Sequence, residues 1–247
     1  MRAILTFHSI DNSGSVLSYD AGLFEALLTE LAVKNIPVCD LDTLLADDKK
    51  CGIAITFDDG MKSVYKSALP ILREHQAPSH MFLTTGEIGT DAVGPQPGGI
   101  PAFDRLDWDE VEALQLAGMA IECHTHTHPD MRTLSSQHIA DECGEADRII
   151  QSRLGRNPRY FAYPFGYHNR LVSDFVRDRY SASCTTRLRK LGDQEDPALL
   201  PRLDSYYLRS PLHIRLIDSS MMQGYLELRN QMRNLRGKAS GRRKYSS

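Results

Sequence analysis

Tryptophan occurs once in the 247 residues and cysteine five times, and no apolar run approaches the ~18 residues that a membrane-crossing helix requires. The short apolar stretch at residues 3–7 is interrupted by His8 and Asp11, so neither a membrane span nor a secretory leader is expected, and a cytoplasmic setting follows from that reading. The cysteines, Cys39, Cys51, Cys123, Cys143 and Cys184, are odd in number and include no close pair. That excludes a zinc-knuckle pattern and favours free thiols over a disulfide framework. A net positive balance is also confined to one end. The net charge is -3, yet residues 229–247 hold seven basic side chains and no acid, which leaves -10 on residues 1–228. An acidic body argues against a nucleic-acid-binding protein, and the basic end reads as a solvated tail, with weak peripheral contact to an anionic lipid as the second reading.

What is present is alternation. Apolar or β-branched runs at residues 3–7, 36–39, 52–57, 79–84, 119–123, 160–163 and 180–184 predict seven strands. Between them, helical spacing follows the capping candidate Asp20 (Leu23, Leu27, Leu31) and recurs over residues 61–74, 108–117 and 171–179. Ser135 opens the longest helix, whose Ile139, Cys143, Ala146, Ile150 and Leu154 keep helical spacing up to Gly155 and Pro158. Pro70 is expected to kink or shorten the helix that contains it. Strands alternating with helices pair in parallel, so the fold class is α/β, as a (β/α) barrel or an open doubly wound sheet, with the barrel favoured. The domain expectation is a barrel over residues 1–228 and a basic tail over 229–247. The Gly- and Pro-rich stretch 86–107 is long enough to be a lid or binding loop.

Three clusters sit at predicted strand ends. Thr56-Phe57-Asp58-Asp59-Gly60 joins two carboxylates to a glycine; adjacent strand residues face opposite ways, so the pair shares one site only if the chain turns there. As an isolated pattern, a capped strand-to-helix turn explains it equally well. Cys123-His124-Thr125-His126-Thr127-His128-Pro129 places three histidines at alternate positions. An extended chain separates His124 from His128 by about 13 Å, too far for one ion, whereas a helical turn makes them neighbours. The spacing permits either His124 with His126 on a strand or His124 with His128 on a turn. Two imidazoles and a carboxylate make a three-ligand ion with an open position, the arrangement of a catalytic centre. The third cluster, Phe161-Ala162-Tyr163-Pro164-Phe165-Gly166, is by itself an aromatic turn. In a parallel barrel all strand C-termini open on one face, where His8, Asp58, Asp59, His124, His128 and Phe165 converge.

In order and spacing these three clusters resemble the motifs of the polysaccharide deacetylase family of carbohydrate esterases, across roughly residues 3–184. The resemblance implies a deformed (β/α) barrel of about seven parallel strands, with Asp59, His124 and His128 as metal ligands and Asp58 as catalytic base. His126 is then a bystander. It further implies a divalent cation, Zn²⁺ first and Co²⁺, Ni²⁺ or Fe²⁺ as alternatives, and an oxyanion contact from the main chain near Phe165.

Departures from the family pattern are specific. Ala162 stands where the third motif usually has an arginine, and Arg202 in Leu200-Pro201-Arg202-Leu203-Asp204 is the candidate replacement, against an equal reading as a structural arginine. The late Asp-and-Trp and Leu-x-His motifs are not recognisable, and Trp108 reads as helix packing. Leu5-Thr6-Phe7-His8-Ser9 resembles the poly-N-acetylglucosamine deacetylase branch, in which the opening strand replaces the missing last one; His8 is therefore the general-acid candidate and His213 the fallback. The implied activity is removal of N-acetyl groups from an amino-sugar glycan or lipid-linked precursor. Deformylation or hydrolysis of a non-sugar amide, and a carbohydrate-binding homologue without activity, are the alternatives.

Overall fold

The computed structural model describes residues 1–46, 51–90 and 102–239. Strand β1 (Arg2–Phe7) is followed by the two-residue strands β2 (Ser9–Ile10) and β3 (Ser18–Tyr19), then helices α1 (Ala21–Val33) and α2 (Leu41–Ala46). The alternating section comprises β4 (Gly52–Asp58), α3 (Leu69–Glu74), β5 (Ser79–Leu83), α4 (Trp108–Leu116), β6 (Ala120–Cys123), α5 (Ser136–Leu154), β7 (Tyr160–Ala162), α6 (Arg170–Arg179) and β8 (Ala182–Cys184). Strand β9 (Leu203–Asp204) and helices α7 (Pro211–Arg215) and α8 (Ser220–Ala239) complete the described chain.

Seven strands form one parallel sheet in the order β8-β7-β6-β5-β4-β1-β9. Every residue of β4 is buried, as expected for a central parallel strand covered on both faces. The sheet curls. Leu200 bridges Cys184 of β8 in parallel, while three residues later β9 pairs Leu203 with Leu5 and Asp204 with Thr6 of β1. The stretch 200–204 therefore touches both edges and makes the sheet the deformed barrel that the motifs imply. Opening strand β1 lies between β4 and β9, beside the strand that carries the paired aspartates. The interior packs around Phe7, Phe24, Phe57 and Tyr19, with Phe7 meeting Phe24 and Tyr19 edge to face at 5.1 and 5.2 Å.

Local chemistry explains most element ends. The Asp20 carboxylate accepts from the Leu23 N–H and starts α1; Ser135 accepts from the His138 N–H and starts α5, which stops at Gly155 with φ 70°. The apolar positions named above for α5 are the buried ones: Ile139, Cys143, Ala146 and Ile150. Pro70 acts as anticipated. Residues Val64–Ala68 form a π-turn in which the Leu69 N–H bonds to the Val64 carbonyl, and a regular helix begins only at Leu69, because Pro70 has no N–H to continue an α-helical ladder.

Three expectations need correction. Residues 36–39 form no strand: Pro37 has no N–H, and only Val38 bridges Ile53. The seventh strand is instead β9, two residues long and too short to show a period. Helix α8 runs unbroken through residue 229, so the basic segment begins inside a helix and not after the last element. Arg242, Arg243 and Lys244, and positions 91–101 of the expected lid loop, lie outside the described residues. All five cysteines are free, and no helix among the described residues is long and apolar enough to cross a membrane.

Candidate active site

Asp58 is the last residue of β4, and the chain then turns through two left-handed residues, Asp59 with φ 71° and Gly60 with φ 77°. This reversal puts both carboxylates on one side of the sheet end. Gly60 also sits close against its neighbours: a Cβ there would lie 2.7 Å from Leu83 Cδ1, so that side chain would have to shift. The Asp58 carboxylate is buried and accepts two parallel bonds from Arg202, Nη1 to Oδ1 and Nη2 to Oδ2, both 2.7 Å. Arg202 is itself 1% exposed, and its remaining donors reach Thr185 O at 3.1 Å and Thr56 Oγ1 at 3.3 Å. Burial pushes the Asp58 carboxyl up, but Arg202 and His124 outweigh it and hold the group below the usual carboxylate value.

The histidine loop follows β6 directly. Thr125 (φ 67°) and His128 (φ 57°) are left-handed, and this tight turn carries His124 and His128 to one point, with ring centroids 4.9 Å apart. His124 pairs with His128 on a turn; the strand alternative with His126 is not adopted. His126 faces away and its Nδ1 meets Thr85 Oγ1 at 2.9 Å. The turn is held by Thr125 Oγ1, which accepts from the His128 N–H, and by Glu142 of α5. Glu142 accepts from the N–H groups of His126 and Thr127 at 3.0 and 2.8 Å and from the Thr127 hydroxyl at 2.6 Å.

One ligand-type atom from each of Asp59, His124 and His128 lies within 4.8 Å of the other two. Nε2 of His124 and of His128 approach Asp59 Oδ1 at 3.3 and 3.5 Å, yet this buried oxygen has no hydrogen-bond partner among the described residues. His124 Nδ1 donates to the Ala162 carbonyl at 2.7 Å, which leaves the Nε2 lone pair facing the cluster. An orphaned carboxylate oxygen beside two inward-facing imidazole nitrogens is what a divalent cation would satisfy, so the residues present fit such an ion. Burial pushes His128 down to about 4, so its ring is neutral near pH 7, the form a metal ligand requires.

A cavity of about 430 Å³ opens over this cluster. His8, half-buried just after β1, lines it together with both aspartates. Phe165 is 50% exposed at the rim, with φ 59° and its ring 4.5 Å from that of His128. Gly166 permits this turn, since a Cβ there would strike Thr186 Oγ1 at 2.2 Å. His213 does not reach the site; it sits on α7 with its ring 4.9 Å from Tyr225.

Two features of the site carry no signal in the sequence. Glu142 is one more acid on the polar side of an amphipathic helix, and its role depends on a loop sixteen residues away. Glu87 and Arg105 form an ion pair of 2.5 Å on the cavity wall, and Arg105 also donates to the Asp59 carbonyl at 3.4 Å. Both belong to the irregular stretch 86–107, which has no period to place them. Burial pushes the Glu87 carboxyl above its usual value despite Arg105.

A family model described as polysaccharide deacetylase matches residues 46–179. A poly-beta-1,6-N-acetyl-D-glucosamine N-deacetylase of Staphylococcus aureus is 24% identical over 170 residues, covering 64% of this chain and 53% of that protein. The chain thus spans about half the length of the curated relatives it matches. Among solved structures, Streptococcus pyogenes deacetylase PplD in complex with acetate has a TM-score of 0.73 at 21% identity, over 88% of this chain and 97% of that one. IcaB from Ammonifex degensii has a TM-score of 0.72 at 19% identity, over 86% and 96%. At these identities the likeness to the solved structures is one of fold.

Proposed function

The chain belongs to the polysaccharide deacetylase family, whose model matches more than half of it, and on that premise we propose that it is a metal-dependent hydrolase removing N-acetyl groups from an amino-sugar glycan. The observation that carries this reading is the juxtaposition, in one cavity, of the three-atom donor set of Asp59, His124 and His128 with an ionised Asp58 that is held by Arg202.

A divalent cation held by Asp59, His124 and His128 supplies Lewis acidity, making water a competent nucleophile near neutral pH and polarising the acyl oxygen. Two nitrogens and one oxygen suit zinc, and cobalt, nickel and iron accept the same donors. Asp58 takes a proton from the attacking water. Arg202 keeps that carboxylate ionised and fixes the direction of its oxygens, and so occupies the role that Ala162 leaves vacant in the third motif. Ala162 contributes its carbonyl instead, orienting His124. A main-chain N–H at Phe165 donates to the oxygen on which negative charge develops, a contact typically worth about 2.7–4 kcal/mol. The departing nitrogen needs a proton, and His8, on the same wall as both aspartates, delivers it.

The substrate class follows from the relatives: a β-1,6-linked N-acetylglucosamine oligomer is the first to test. Purified protein loaded with zinc should release acetate from such an oligomer, and Asp58→Asn should abolish the release while retaining the metal. A panel of N-acetyl and N-formyl sugars and cyclic amides separates deacetylation from deformylation and from non-sugar amide hydrolysis. Metal retention with no turnover on any member would reassign the chain as a binding homologue.

A further inference from the structure

Helix α8 is amphipathic in the wrong direction for a surface helix. Met222 and Leu226 are buried against the body, and beyond them the described side chains that lean inward are polar: Arg229 stacks 5.3 Å over Tyr207, and Arg233 donates to the Thr186 carbonyl at 3.2 Å. The opposite face carries Met221, Leu228, Met232 and Leu235, which are 70%, 56%, 37% and 66% exposed. Their spacing of seven, four and three residues puts all four on one stripe of an α-helix. A solvent-facing helix surface is ordinarily polar.

The occupant of this stripe can be narrowed by chemistry. A coiled-coil partner, such as a second copy, needs two apolar positions per heptad. With Met221, Leu228 and Leu235 as one of them, the other falls either on Gly224, Gln231 and Lys238, which are not apolar, or on Tyr225, Met232 and Ala239, where Tyr225 is turned onto the rings of His213 and Tyr207 and so breaks the seam. The charge points elsewhere. From residue 229 onward the chain has seven basic side chains and no acid, against the acidic remainder. An exposed apolar stripe on a helix whose sequence continues with further basic residues and no acid matches the composition of segments that lie flat on an anionic bilayer.

The placement of the helix gives this surface a consequence for the site. Gln223, Glu227 and Asn230 line a cleft with Met1 and Arg2, at the start of β1, whereas Arg233 reaches Thr186, which also lines the catalytic cavity. The helix thus climbs from the N-terminal end of the barrel strands to the rim of the catalytic mouth. We infer that α8 is a docking element for an anionic lipid surface and that it holds the catalytic mouth beside that surface.

Co-sedimentation of the full chain with vesicles of phosphatidylcholine alone and of phosphatidylcholine with phosphatidylglycerol tests this. The protein should bind the anionic vesicles and not the neutral ones, and high salt should release it. Replacing Leu228, Met232 and Leu235 together by Gln should weaken binding by about tenfold or more. All three side chains are exposed, so the melting temperature and the metal content of that variant should match wild type. Asp59→Ala should bind vesicles as wild type does, which keeps the result independent of the proposed hydrolysis. Absence of binding to anionic vesicles overturns the inference. So does binding that survives the triple replacement, which would indicate a purely electrostatic polyanion site. A wild-type dimer that the triple replacement turns into monomer, without vesicle binding, would instead give the stripe to a second copy.

Discussion

Asp58 ends β4 with both carboxylate oxygens held by Arg202, whereas Asp59, one residue later in a left-handed turn, keeps a buried oxygen with no hydrogen-bond partner. The two differ in how they are built. The Asp58 side is assembled from strand ends: β4 supplies the acid, and the chain just before β9 supplies the arginine. The Asp59 side is assembled from turns, with left-handed residues at Asp59, Thr125 and His128 and the Glu142 carboxylate bracing the histidine loop. One side has its counter-charge covalently within the protein; the other is arranged for a charge from outside. A buried carboxylate can be kept ionised in either way, and doing both within two residues separates the proton acceptor from the ligand without interchange of roles.

Arg202→Ala should break the contrast most severely. It leaves Asp58 as an unpaired buried charge, and a loss of about 3–5 kcal/mol in unfolding free energy is expected by urea denaturation, along with loss of turnover. Asp59→Ala should act on the other side alone: metal measured by mass spectrometry and turnover are both lost, while the metal-free protein loses less stability than Arg202→Ala does, because no buried charge is left without its counter-ion. His8→Ala touches neither side's charges and should slow hydrolysis by about 10²–10⁴-fold with metal content intact. If it keeps wild-type turnover on an acetylated amino sugar, the general-acid assignment is wrong.

Glu142→Ala loosens the turn without removing a ligand, so metal affinity from chelator competition should fall about 10–100-fold, with partial recovery in Glu142→Gln. The smallest effect is a slope. Because the folded-state value of His128 is depressed to about 4, the unfolded chain takes up that proton first as pH falls below 6.5. Stability of the metal-free protein is then lost between about pH 6.5 and 4, at up to about 1.4 kcal/mol per pH unit, and His128→Gln should flatten that limb. Asp58 works in a different window. Its lowered value protects stability above the ordinary carboxylate range, and that protection disappears only as pH falls through the depressed value.

Local chemistry was legible in the residues; long-range geometry was not. The caps at Asp20 and Ser135, the stop at Gly155, the interruption at Pro70 and the turn allowed by Gly60 are each decided by a few neighbouring atoms, and all appear where the residues imply. The stretch 36–39 misled because its apolar composition suits a strand while Pro37 removes a ladder donor. Strand β9 was missed because two residues carry no period, although it helps to curl the sheet. The alignment of Arg202 with Asp58 depends on that curl, so comparison with the family motif named the arginine as one of two readings and left its partner's geometry open. Glu142 was invisible for a related reason: two of its three bonds come from backbone N–H groups, which leave no trace in side-chain identity.

The bond between Arg202 and Asp58 spans 144 positions. A nascent chain therefore exposes all three ligand residues and the complete Asp-Asp-Gly turn well before the guanidinium that neutralises Asp58 has been synthesised. Until then the acid has no cation to settle against and the two edges of the sheet have nothing to join them. Competence of the centre is consequently tied to synthesis of the segment around Arg202, and a fragment released before it lacks both the closing segment and a usable base.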